Sequence, residues 1–176
     1  MRASNLPLDG RGFGLGATLL RAALAIALLV GVGGCDIVGK TVDKARMKIF
    51  GIVVTNPDPE SAEWVIKQAI EAAMDSNEET GWERFQQTLH SEERTPNALR
   101  GWYEGGWKRM RRQAKDYVDP DGSFKIVDFK EIMASAGGIA GYEFYLESHR
   151  KEMPTPCAVY TDDDNGGKWR IRRCSL

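Results

Sequence analysis

The stretch CAVYTDDDNGGKWRIRRC, residues 157–174, decides the fold, because two segments of β-type residues flank a turn signal. Asn165-Gly166 is typical of a two-residue hairpin loop, since a type I′ turn needs positive φ at both central residues. The stretch therefore predicts an antiparallel hairpin with strands over Cys157–Thr161 and Lys168–Ser175.

The register of this hairpin predicts a disulfide. A turn at Asn165-Gly166 places Cys174 opposite Cys157 in a non-hydrogen-bonded pair, where cross-strand side chains come closest. Closing a loop of about 16 residues contributes roughly 3 kcal/mol in the chain-entropy model. Two alternatives remain: a turn at Gly166-Gly167, which leaves Cys174 without this partner, and two reduced buried thiols.

The same register divides the side chains of the hairpin between two faces. The more apolar face, which we expect to meet the helices, carries Ala158, Tyr160, Trp169 and Ile171. The opposite face carries Cys157, Val159, Thr161, Arg170, Arg172 and Cys174.

Further toward the N-terminus, the pattern predicts two more strands and three helices. Phe124–Met133 is one strand, and alternation over residues 142–146 indicates another, joined to it by Ser135–Gly141. The helices are predicted to begin at an Asp58 cap with Pro59 in the first position, at Thr80 with capping-box spacing to Glu83, and after Thr95-Pro96, the last running to about Tyr117.

The predicted helices are amphipathic, with apolar side chains at steps of three and four. The expected core positions are Ala62, Val65, Ile66, Ala69, Ile70, Ala73, Trp82, Phe85, Leu89, Leu99, Tyr103, Trp107, Met110, Ala114 and Tyr117. Glycines at 101, 105 and 106 indicate a bend or a close approach within the third helix. The fold class is thus α+β: N-terminal helices packed on a curved antiparallel sheet of about four strands.

The first residues of the chain have the order of a secretory signal. Arg2, Arg11 and Arg21 precede the uncharged run Ala22–Val32, which is shorter than the roughly 20 residues that span a bilayer as a helix. Val32-Gly33-Gly34-Cys35 then resembles the lipobox of bacterial lipoproteins.

That resemblance implies cleavage before Cys35 and lipidation of its thiol, a stable anchor when two or three acyl chains are attached. The alternative is an ordinary signal peptide with Cys35 in a disulfide. Asp36 resembles a signal for inner-membrane retention in some bacteria, which favours the inner over the outer membrane. The organisation that follows is signal peptide 1–34, lipidated N-terminus and tether 35–57, and a single α+β domain 58–176.

Charge and cysteine content limit the function classes. Without residues 1–34, which hold three arginines and one aspartate, 21 basic and 24 acidic side chains remain, a net charge of −3. This balance argues against general nucleic-acid binding. Two remaining cysteines and two distant histidines make a poor zinc site, so we expect no metal and no cofactor.

Residues 59–176 resemble the nuclear transport factor 2-like fold. The resemblance rests on three helices followed by a curved antiparallel sheet that ends in Lys168-Trp169-Arg170-Ile171. It implies a cone with a pocket between sheet and helices. Some members are isomerases or dehydratases, and others, including envelope lipoproteins, have no known activity. No catalytic motif of the family matches here, so no catalytic residue is assigned.

Three sets of side chains are candidates for function. Lys108, Arg111, Arg112 and Lys115 form a basic stripe for contact with anionic lipid, although a solvated helix face is the favoured interpretation.

A second set, Asp128, Tyr145, Glu147 and His149, carries groups suited to proton transfer, although simple solvent exposure explains it as well. The third set is Trp64, Trp102 and Trp107, which fit the core better than a ligand cage. The acidic run from Asp162 fails the calcium-loop pattern, because Gly166 and Arg173 occupy the positions of an Asp or Asn ligand and the Glu ligand. A solvated tip of the hairpin is the favoured interpretation of this run.

The expected function is a lipid-anchored cell-envelope protein with a non-enzymatic binding or structural domain. Its partners would be the membrane, through the lipid, and an unknown protein or small apolar ligand. The alternative is a small pocket enzyme of the same fold, an isomerase or a hydrolase-like protein.

Overall fold

The architecture comes from a computed structural model that describes residues 51–176. The signal segment, Cys35 and the tether as far as residue 50 lie outside the described residues. All of the described residues belong to one compact unit.

A five-stranded antiparallel sheet has its strands in sequential order. The strands are β1 Ile52–Val54, β2 Phe124–Met133, β3 Ile139–Leu146, β4 Thr155–Asp162 and β5 Lys168–Cys174. Helices plus an antiparallel sheet confirm the α+β class, and β2 has the predicted bounds. The expectation of about four strands missed β1, which lies within the segment interpreted as tether. Three residues are too few to show an alternating pattern.

Within the described residues, four α-helices precede β2. They are α1 Ala62–Met74, α2 Glu78–Thr88, α3 Pro96–Gly101 and α4 Lys108–Gln113. The Ser61 side chain caps α1 by accepting from the Trp64 N–H, and the Asn77 side chain caps α2 by accepting from the Thr80 N–H. The predicted caps were therefore wrong at both helices. Asp58 instead forms a turn before α1, accepting from the Ser61 N–H.

The predicted third helix is divided into segments of different pitch. Between α3 and α4 lies a π-helical segment, Trp102–Trp107, and a short 3₁₀ turn follows α4. A Cβ added to Gly106 would lie 2.6 Å from the Trp102 ring. The glycine cluster thus marks a close approach, as the sequence indicated. The group that lies close to Gly106 is the Trp102 ring, one helical turn earlier in the chain.

The helices cover one face of the sheet. From α1, Val65, Ile66, Ala69 and Ile70 are at most 2% exposed, and they share a core with residues of all five strands. A β-bulge in β2 between Ile126 and Asp128 brings both Ile126 and Phe129 onto this face. The strand residues at its centre are Phe144, Leu146, Cys157, Val159, Ile171 and Cys174.

The predicted type I′ turn of the terminal hairpin was wrong. Asp163–Asn165 forms a 3₁₀ turn, and the residues with positive φ are Gly166 and Gly167. The five-residue loop pairs Val159 with Ile171, one residue away from the predicted register.

A β-bulge then restores the predicted pairing at the cysteines. The register shifts by one residue between Ala158 and Val159, so that Cys157 lies opposite Cys174 with a Cα–Cα distance of 4.0 Å. The sulfurs are joined in a disulfide, as predicted.

The face assignment of the hairpin fails for β4 and, on β5, for Cys174, because a one-residue slip or a bulge exchanges the two sides of a strand. Val159 and Cys157 are fully buried in the core, while Tyr160 lies outside it under the Arg172 guanidinium.

Candidate functional site

Asp162 is a fully buried carboxylate at the end of β4. It accepts hydrogen bonds from the Ser91 N–H and hydroxyl, each at 2.9 Å, and from the Asn165 side-chain amide. The Arg94 guanidinium lies 3.4 Å away. Burial opposes ionisation of Asp162, but the hydrogen bonds from Asn165 and Ser91 hold the pKa of the carboxyl below its ordinary value.

Ser91, His90 and Asp162 bring together the three residue types of a serine hydrolase. The Ser91 Oγ lies 3.4 Å from His90 Nδ1, but that nitrogen also accepts from the Glu92 N–H at 3.3 Å, and the hydroxyl donates to Asp162. His90 Nε2 is 4.0 Å from Asp162. A nucleophile must give its proton to the base, whereas this hydroxyl gives its proton to the carboxylate. The hydrogen bonds and the ion pair of Asp162 therefore connect the 3₁₀ segment Ser91–Arg94 to the hairpin loop.

Sequence reasoning missed this cluster. It placed Asp162 in a solvated acidic tip, and the bonds from Ser91 join residues 71 positions apart. No local spacing carries that signal.

The basic stripe is interrupted at Arg111. Its guanidinium donates to the Asp75 carbonyl at 2.8 Å and to the Ala73 carbonyl at 3.4 Å, at the C-terminal end of α1, and stacks on Trp107. Lys108 and Arg112 are exposed. Arg111 is thus a structural residue, and three of the four predicted stripe residues remain at the surface.

The second candidate set does not converge. The Tyr145 hydroxyl donates to Glu143 and accepts from Lys130, each at 2.7 Å. The Tyr145 bond is the largest effect on the pKa of Glu143, which is lowered.

The other members of that set have separate partners. Glu147 pairs with Lys125 at 2.7 Å, His149 lies 3.5 Å from Asp119, and Asp128 accepts from the next residue's N–H. These groups are distributed along the outer face of the sheet and its edge, as the solvent-exposure interpretation expects.

The tryptophans form part of the core and its edge. Trp107 is fully buried, and its indole Nε1 finds no acceptor among the described residues. Trp102 packs edge-on against Phe85 and donates to Glu93 at 3.0 Å. Trp64 is partly buried against the core. The core interpretation is confirmed for all three.

A cleft of about 600 Å³ lies between α1 and the turn that precedes β2. Its apolar lining comes from Ile70, Met74, Val118 and Phe124. Charged side chains of both signs complete the lining: Lys67, Glu71, Asp75, Lys115, Asp119 and Asp121. The volume is within the range of about 300–1,000 Å³ typical of ligand sites, so this cleft is the candidate binding site.

Within residues 51–176, no group of three or more His, Cys, Asp or Glu side chains is arranged to hold a metal ion. None of the helices in that part of the chain is long and apolar enough to cross a membrane.

Comparison of the chain with protein-family models, with curated proteins and with solved structures finds no match in any of the three.

Proposed function

We propose that the chain is a lipid-anchored protein of the bacterial cell envelope whose folded domain binds a partner or ligand and catalyses no reaction. One observation carries the anchor: Val32-Gly33-Gly34-Cys35 follows the uncharged run Ala22–Val32. Lipid on Cys35 would hold the domain at a membrane of the envelope, inner rather than outer if Asp36 acts as a retention signal.

The binding role is supported by the cleft beside α1. A lining of apolar side chains and charges of both signs suits an amphipathic ligand or a segment of another protein. The enzymatic alternative lacks comparable support, since the Ser91 hydroxyl donates its proton to Asp162 and not to His90, as nucleophilic catalysis would require. We also propose that the sheet is curved and cone-like, in the manner of the nuclear transport factor 2-like fold, on the basis of the order of helices and strands.

The anchor is tested by mass spectrometry of the mature N-terminus from the membrane fraction. We expect an acylated Cys35, and release of the Cys35→Ser variant from membranes. The matched control is Cys157→Ala with Cys174→Ala, which removes two cysteines but leaves the lipobox intact and should remain membrane-bound. An unmodified Cys35 in mature protein would contradict the anchor.

The cleft is tested by crosslinking and pull-down from membranes. Met74 lines the cleft and is 51% exposed, whereas Met153 is 80% exposed and lies outside it. A partner that is lost with Met74→Glu and retained with Met153→Glu would support binding in the cleft. Equal retention by both variants would contradict it.

A further inference from the structure

A second, smaller cleft lies where α1, α2 and β5 meet. Its volume is about 150 Å³, and Trp64 forms an apolar part of the wall. The polar side chains that line it are Gln68, Arg84, Gln87, Thr88 and Arg170. None of the lining residues is acidic, so the cleft carries two positive charges and no negative one.

Arg170 is the unusual member of this set. Its Nη1 donates to the Trp169 carbonyl at 2.7 Å, while its buried Nε has no acceptor among the described residues. No carboxylate of residues 51–176 forms an ion pair with it. Partly buried charges are normally paired, because an unpaired one loses hydration without compensation. Burial and the charge of Arg94 lower the pKa of this guanidinium, and the charge of Asp162, which forms no ion pair with it, opposes that shift only in part.

Two other lining residues, Arg84 and Gln87, have N–H donors that are free to bind a ligand. Arg84 reaches Asp75 at 3.2 Å and Glu71 at 3.7 Å, but a guanidinium has five N–H donors, and these contacts do not use all of them. The Gln87 side chain makes no hydrogen bond within the described part of the chain. An anion entering the cleft would therefore meet two guanidinium groups and a free amide.

We propose that this cleft binds a small oxyanion, a carboxylate or a phosphate group, through Arg170 and Arg84. A guanidinium presents parallel N–H donors that match two oxygens of such a group. The volume is about half the lower limit for sites that hold drug-sized ligands, so the cleft takes one anionic group, free or at the end of a larger molecule. The inference rests on the binding half of the proposed function and not on the lipid anchor.

The test is titration of the purified full chain, labelled with ¹⁵N at arginine, with propionate and separately with inorganic phosphate. We expect a saturable shift of the Arg170 Nε–H resonance with at least one of the two probes. Saturation by propionate alone identifies a carboxylate site, saturation by phosphate alone identifies a phosphate site, and both results support the proposal. A shift that grows linearly with salt, with no saturation for either probe, would overturn it.

Variants separate the site from a general charge effect. Arg170→Lys keeps the charge but loses the paired donors, and Arg84→Gln removes the second guanidinium. Each should weaken binding by about tenfold or more. Binding by Arg84→Gln is read from the Arg170 resonance, and binding by Arg170→Lys is read from the Trp64 indole N–H in uniformly ¹⁵N-labelled protein. Arg100→Gln is the matched control, because Arg100 pairs with Glu104 on the surface. Equal binding by all three variants would also overturn the proposal.

Failure here is distinguishable from failure of the proposed function. Retention of the partner by Met74→Glu would remove the larger cleft as a binding site and leave the arginine titration unchanged, whereas a chain without the anion site would still lose its partner with Met74→Glu and would still be released from membranes by Cys35→Ser.

Discussion

Cys157 and Cys174 lie directly opposite each other although the strands between them and the loop are paired one residue out of the predicted register. The longer loop shifts the pairing, and the bulge next to Ala158 shifts it back. Two departures from the expected hairpin therefore cancel at the disulfide. The bond by itself does not report the register of the whole hairpin.

The disulfide should contribute measurably to stability. Its cysteines are 17 positions apart in the sequence. Replacing both by alanine should lower the free energy of unfolding by roughly 3 kcal/mol, because the unfolded chain regains the entropy of an open loop. Urea denaturation of the variant, of the oxidised protein and of the reduced protein measures the difference. Two free thiols in peptide maps of protein from the envelope would contradict the bond.

The hairpin illustrates how far the sequence could predict this fold. Outside the hairpin, the strand Phe124–Met133 and the buried positions of α1 were predictable, because packing against the core places apolar residues at the period of a strand or a helix. The turn did not follow, because Asn165, Gly166 and Gly167 offer more than one turn, and the loop is fixed by a distant contact of Asp162 with Ser91.

The candidate site was less predictable than the fold. Arg170 was assigned to the face opposite the helices, yet its side chain lines a cleft with residues of α1 and α2. The larger cleft lies between α1 and the turn before β2, two segments that are about 50 residues apart in the chain. The residues that line each cleft are distant in the sequence and come together only when the helices pack. Periodicity and motifs, which depend on local spacing, therefore do not predict either cleft.

The glycine pair in the π-helical segment gives a matched test of packing. At Gly106 a Cβ would meet the Trp102 ring at 2.6 Å, whereas at Gly105 no atom lies within 4 Å. Gly106→Ala should destabilise the protein by about 1–3 kcal/mol, because the ring is forced to move. Gly105→Ala should be neutral or stabilise it by up to about 1 kcal/mol. Thermal and urea unfolding check both, and equal effects would contradict the close approach.

Asp162→Asn should destabilise the protein by roughly 2–3 kcal/mol at pH 7. The variant loses a buried charged acceptor and leaves the donors of Ser91 and Arg94 poorly paired. Asp164→Asn is the control, because Asp164 is exposed in the same loop. Urea denaturation should show a loss for Asp162→Asn only.

The effect of Asp162→Asn should depend on pH in a defined direction. The pKa of Asp162 in the folded protein lies below the ordinary value of 3.8. Its ionised form therefore stabilises the fold above about pH 4, and this contribution is lost as the pH falls through the folded pKa. The difference between wild type and variant should be constant from pH 7 to 5 and shrink below pH 4. A difference that grows in acid would contradict the lowered pKa.

The basic residues of α4 and the turn after it should separate into one structural and three surface positions. Arg111→Gln should lower the free energy of unfolding by about 1–2 kcal/mol, because it removes charged donors from the carbonyls at the C-terminal end of α1 and the stacking on Trp107. The triple variant Lys108→Gln, Arg112→Gln and Lys115→Gln should change stability by less than about 0.5 kcal/mol.

The same triple variant tests the membrane-surface interpretation of the stripe. With Arg111 engaged inside the fold, three exposed charges remain, and each contributes about 1 kcal/mol to membrane binding only where it lies against anionic lipid, which the solvated-face interpretation excludes. Binding of the Cys35→Ser protein to vesicles of phosphatidylglycerol and phosphatidylcholine, measured by co-sedimentation, should therefore be almost unchanged by the triple substitution. A large loss that disappears at high salt would show that the stripe contacts the membrane, and the solvated-face interpretation would then be wrong.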